Sequence, residues 1–192
     1  MTSTEIAWSP TSGQKRFAAA YLASTRDELI SAVTGLSQSQ SIFRREPGEW
    51  SIAEVVEHLG IIEGRVQAVI LRLPEAPFAD PDRNEEQIDA LIVHMLPRRT
   101  SRVQAPQAAL PKGQCTLIQA MEEFARKREE TAGLLESSSC LRGRVIPHPI
   151  FGPWDGYQWI LATGAHTARH LAQIRDIQGA EAFPRARLST TS

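Results

Sequence analysis

Apolar residues along this chain recur at three- and four-residue steps in long blocks, with no alternation of the kind a strand would need. The first block runs from about Gln14 to Leu36 and carries Phe17, Ala20, Tyr21, Leu29, Ile30, Val33 and Leu36. Thr25-Arg26-Asp27-Glu28 inside it fits a capping box, so the block reads as one helix or as a short helix followed by a longer one. A polar segment rich in Ser and Gln, then Pro47-Gly48, closes it. Ser51-Ile52-Ala53-Glu54 is a second capping box and opens the clearest helix. Val55, Leu59, Ile62, Val66, Val69 and Leu73 form one stripe along it, Pro74 stops it, and His58 sits at the border of the stripe.

Residues 74–113 hold six prolines and little periodicity. Asn84 caps a short predicted helix through Ile88, Leu91, Ile92 and Met95. A connection this long is expected to cross the domain or to cover a site. A third long helix starts at Thr116, with Gln119 completing its box, and runs to about Leu135. After Pro147-His148-Pro149-Ile150-Phe151-Gly152-Pro153, Asp155 and Gln158 cap a last helix that ends at Gly179. Four helices of roughly 20 to 25 residues without repeats predict an all-α chain, a four-helix bundle with a long crossover connection between helices 2 and 3. The expected organisation is a single domain over 1–192, with its core at about 14–179, the long connection at 74–113 and a tail at 180–192.

Composition narrows the function classes. The chain has 192 residues, 42% of them hydrophobic and 22% charged, with a net charge of −1. That suits one domain with a substantial core, and it lacks the basic face that nucleic-acid binding needs. No apolar run approaches the roughly 20 residues of a membrane span, and Met1–Ser12 lacks the order of a signal peptide. Cys115 and Cys140 stand apart with no metal or redox spacing, so a cytoplasmic, reduced chain is expected.

The candidate chemistry lies in three histidines. His166 and His170, four residues apart in the last helix, share one face and can reach one ion. If the helix carrying His58 packs beside that face, three neutral nitrogens converge and a fourth position stays open, the layout of a catalytic metal site. An all-imidazole set leaves the charge of a divalent ion uncompensated and favours an anion such as hydroxide or thiolate at the open position.

Pro47-Gly48-Glu49-Trp50-Ser51-Ile52-Ala53-Glu54, continuing to His58-Leu59 and Glu63, resembles the helix-2 signature of the DinB/YfiT-like metalloenzymes. His148-Pro149-x-Phe151-Gly152, Trp159, and His166-x-x-Arg169-His170-x-x-Gln173-Ile174 resemble the closing signature of the same superfamily. The likeness runs from about Gln14 to Ile177, and the three histidine positions match. It implies a four-helix bundle with helices 2 and 3 parallel, homodimers, and a Zn2+ or Ni2+ ion held by His58, His166 and His170. Some members act through a low-molecular-weight thiol such as bacillithiol or mycothiol, while many have no established activity.

Around the three histidines, Trp159 shares the face of His166 and could wall a pocket, and Gln173 could orient a ligand or substrate. Glu63 lies five residues after His58, about 140° further round the helix. His148, between two prolines, reads as a structural hydrogen-bonding residue with a substrate role as the minor alternative. Glu54 reads as a cap, Trp50 as an anchor of the loop against the core, and Arg169 as a salt-bridge or interface residue. The leading function is a metal-dependent enzyme for a small-molecule substrate, using an activated thiol in S-transfer ahead of a hydrolase using water. A non-catalytic metal- or ligand-binding stress-response module is the alternative, and DNA binding is disfavoured by the charge balance.

Overall fold

The computed structural model describes residues 8–99 and 105–185. Six α-helices lie within them: α1 (Ser12–Val33), α2 (Gln38–Ser41), α3 (Ile52–Arg72), α4 (Glu85–Met95), α5 (Leu117–Ser137) and α6 (Gly156–Gln178). Short 3-10 turns occupy Leu73–Glu75 and Gln107–Ala109. No helix among the described residues is long and apolar enough to cross a membrane.

The helix starts follow local chemistry. Thr11, Ser51, Thr116 and Asp155 cap α1, α3, α5 and α6, each in a reciprocal box with the residue three positions on. The box expected at Thr25 does not form. The Thr25 hydroxyl donates back to Tyr21 O (3.0 Å) and Leu22 O (3.2 Å), so α1 runs unbroken through it. Gly35, at φ +78°, then turns the chain out of the helix. The polar Ser/Gln segment is not a plain loop, because Ser37 and Gln40 cap the one-turn helix α2.

One departure from an all-helical chain is a hairpin of β1 (Ile146–His148) and β2 (Gly152–Trp154). Ile146 pairs with Trp154, Pro147 with Pro153 and His148 with Gly152. Paired prolines cannot donate to a ladder, so the segment shows no strand signature in sequence.

Helix α3 packs against α5 and α6, α1 against α6 and α5, and α4 lies on α6. The buried apolar side chains form two groups. One gathers Leu22, Val66, Ile70, Leu135, Tyr157, Ile160 and Leu161; the other gathers Leu29, Val55, Leu59, Phe124, Leu171 and Ile174. Along the long helices the buried polar residues Thr25, Glu63, Arg128, Thr131, Thr167 and His170 fall where one group gives way to the other, while buried His58 and Thr163 lie within the second and first groups.

Candidate metal centre

His58 projects from the second turn of α3, and His166 and His170 project one turn apart from α6. Packing of α3 on α6 brings the three imidazoles together. His166 Nε2 lies 3.4 Å from His58 Nε2 and 3.2 Å from His170 Nε2. One ligand nitrogen from each ring falls within 4.8 Å of the others, so the cluster could hold a metal ion.

Two of the rings have their protons assigned by their neighbours. His58 Nδ1 lies 2.7 Å from Ala109 O, a carbonyl that can only accept, so Nδ1 carries the hydrogen and Nε2 a lone pair. His170 Nδ1 donates in the same way to Gln173 Oε1 at 2.8 Å. Lone pairs of both rings therefore face His166 Nε2 across a gap that one proton on that atom cannot satisfy twice. Zinc–imidazole bonds of about 2.0–2.1 Å in a tetrahedron put ligand nitrogens about 3.3–3.4 Å apart, close to the two separations measured from His166 Nε2. The donor set fits a divalent ion. His166 Nδ1 is buried without a hydrogen-bond partner among the described residues.

Electrostatics favours the neutral, ligating form of all three rings. Burial lowers the pKa of His58, against the raising pull of its bond to Ala109. Burial, then the neighbouring His58, brings His170 down to about 3. Burial, followed by His170 and His58, holds His166 well below its ordinary value.

Part of the long connection lies against this centre through Ala109. Ala109 lies in the 3-10 turn Gln107–Ala109, and the turn is followed by an anchor at Glu57, whose carboxylate accepts from Lys112 N (2.9 Å) and Gly113 N (3.0 Å). Trp50 does more than hold a loop. Its half-buried indole packs 4.8 Å from the His58 ring and 6.3 Å from the His170 ring, centroid to centroid. Neither Ala109 nor Trp50 emerged from spacing, because a backbone carbonyl has no side-chain signature and Trp50 precedes the helix.

Gln173 meets His170 directly. Glu63 faces into the protein interior, where it takes hydrogen bonds from Arg128 Nε (2.7 Å) and the Thr131 hydroxyl (2.6 Å). His148 and Trp159 pack on each other at 5.1 Å and share an aromatic cluster with Trp154. Within it His148 Nδ1 accepts from Ile150 N and Phe151 N, and burial lowers its pKa to about 4. Glu54 caps α3 and also pairs with Arg44, while Arg169 donates to Arg98 O.

The DinB superfamily model matches residues 21–174, a span that contains all three histidines and the whole connection between α3 and α5. This chain belongs to the DinB superfamily. It is similar to YuaE, an uncharacterized protein of Bacillus subtilis (strain 168), with 29% identity over 156 residues covering 80% of this chain and 92% of YuaE. The DinB superfamily is metal-associated, in keeping with a histidine cluster able to hold a metal ion.

Proposed function

We propose that this DinB-superfamily chain is a metal-dependent enzyme, a single four-helix-bundle domain with a long crossover, in which His58, His166 and His170 hold zinc or nickel and a small thiol is co-substrate. The observation that carries this reading is the meeting of three Nε2 atoms at 3.2 and 3.4 Å, two of them on rings whose other nitrogen is committed to a fixed acceptor. A divalent ion bound there would lower the pKa of a thiol or water at its open position and supply a nucleophile at neutral pH.

The chain's own residues prepare that chemistry. Ala109 O and Gln173 Oε1 fix ring orientation and tautomer, as partners of metal-ligating histidines do. Burial keeps the rings neutral, so no proton has to leave before they ligate. Trp50 supplies an apolar wall beside His58 and His170 that shields the centre from water. With three neutral donors, the charge of the ion remains available to an anion, and a thiolate is a soft anion suited to zinc or nickel. Cys115 and Cys140 are free thiols, which suits a reducing cytoplasm, and family resemblance supports a homodimer.

The test uses the Co(II)-loaded protein with cysteine as the probe thiol and chloride as the control. Thiol addition is expected to shift the visible Co(II) absorption at concentrations where chloride does nothing. An unchanged spectrum at saturating cysteine contradicts the thiol reading and leaves a water-using hydrolase in its place.

A further inference from the structure

The Arg128 side chain, 2% exposed, makes more hydrogen bonds than any other buried side chain among the described residues and has none to the three histidines. Its Nε donates to Glu63 Oε1 at 2.7 Å, and Nη2 lies 2.6 Å from the same oxygen. Nη1 donates to Leu22 O and Thr25 Oγ1, both at 3.0 Å, and Nη2 donates to Thr167 Oγ1 (2.7 Å) and Thr163 O (3.3 Å). One guanidinium on α5 therefore ties together α1, α3 and α6.

A buried ion pair of this kind does not explain itself by stability, because well-packed apolar replacements are commonly neutral or stabilising. Its position offers another reason. Glu63 is five residues beyond His58 on α3, and Thr163 and Thr167 flank His166 on α6. Between Leu161 and Leu171, the α6 side chains larger than threonine are His166, Arg169 and His170 alone. Large apolar knobs, which normally set how one helix seats on another, are missing from this stretch. Gly164 packs so closely on Tyr21 that an added Cβ would come within 2.8 Å of its ring. A one-residue slip of α6 moves His166 by about 1.5 Å and turns it by about 100°, whereas metal–ligand distances tolerate only about 0.2 Å.

We propose that the Glu63–Arg128 pair, through Thr163 and Thr167, is a positioning device that sets the register of α6 against α3 so that His166 and His170 meet His58. This rests on the three-histidine metal reading above. Arg128 and Glu63 are positioning residues. The bonds run through directed hydrogen bonds to a backbone carbonyl and a hydroxyl on the turn that carries His166, and such bonds specify register where smooth packing does not.

The test is Co(II) binding, followed by visible absorption, in a Glu63→Leu/Arg128→Met double variant, with Thr167→Val and His58→Ala alongside. The double variant removes both charges together, and Thr25, Thr131 and Thr167 each keep a backbone acceptor on their own helix. It is expected to stay helical and melt cooperatively near the wild-type temperature or above it. Its Co(II) affinity is expected to fall tenfold or more, with an altered absorption envelope, and Thr167→Val to fall severalfold in the same direction. A folded double variant with wild-type affinity and spectrum overturns the proposal. Should the double variant fail to fold, wild-type binding by Thr167→Val overturns it and a severalfold loss there supports it. His58→Ala separates the two readings. A wild-type chain that binds no Co(II) sinks the metal centre and the positioning role together. Binding lost in His58→Ala but intact in the double variant sinks the positioning role alone.

Discussion

His58 and His170 each give a proton to a fixed acceptor, and that commitment turns three nearby imidazoles into three donors aimed at one point. The same burial has a consequence for acid stability. In the unfolded chain an imidazole titrates near 6.5, whereas in the folded metal-free chain His170 is held to about 3 and His148 to about 4, with His58 and His166 also lowered. Between those values the unfolded state binds more protons, so stability falls as pH falls below about 6.5, by up to about 1.4 kcal/mol per unit for a fully buried ring. Half-buried His148 contributes less. Asp155 works the other way, since burial raises its carboxyl to about 6 and folded-state protonation there favours folding on acidification. Four imidazoles against one carboxyl predict a urea midpoint for metal-free protein that drops steadily from pH 6.5 to pH 4.5; a midpoint that rises over that range contradicts the neutral-histidine assignment. The histidines themselves were legible as a spacing, because a helix places i and i+4 on one face. Arg128 was legible too in principle, since it interrupts the buried series Ala120, Phe124, Thr131 and Leu135 on α5. The carbonyl of Ala109 was not, because it acts through backbone that any residue could supply.

The elements show why helix starts were readable and other features were not. Reciprocal boxes at Ser51, Thr116 and Asp155 announce α3, α5 and α6, since a side-chain acceptor followed three residues later by Glu or Gln satisfies orphan N–H groups at a helix start. The identical pattern at Thr25 misleads because Thr25 is buried within α1 and its hydroxyl serves Tyr21 O and receives Arg128. Local sequence proposes a cap there and tertiary packing overrides it. The proline-paired hairpin is the opposite case, a pairing formed without local strand propensity. At the start of α6 the cap carries more than its own helix. Asp155 Oδ1 accepts from Gln158 N (2.8 Å), while Oδ2 accepts from the buried Arg142 (2.8 Å), which also pairs with Asp89 on α4. Asp155→Ala therefore removes a cap and unbalances a buried cation. It is expected to lower unfolding free energy by at least about 1 kcal/mol in urea titrations without changing their slope. An unchanged midpoint would show that α6 does not depend on this cap.

Among the described residues, buried polar side chains, the Glu63–Arg128 pair and His170 included, mark the change from one apolar group to the other, and His58 reaches the cluster from within the second group. Burial of this kind is an inefficient way to build a stable core and an effective way to hold polar side chains in fixed positions. The long connection between α3 and α5 adds the Ala109 carbonyl from one side, and the segment ahead of α3 adds Trp50. Membership of the DinB superfamily places the chain among metal-associated proteins, in keeping with a histidine cluster that could hold a metal ion. Elemental analysis decides this most directly, applied to wild-type protein purified without a metal-affinity tag and to His58→Ala prepared in parallel. The expected result is about one zinc or nickel per chain in the wild type, lost in a variant that remains helical. Wild-type protein without stoichiometric metal, or a variant that keeps it, would contradict the three-histidine centre.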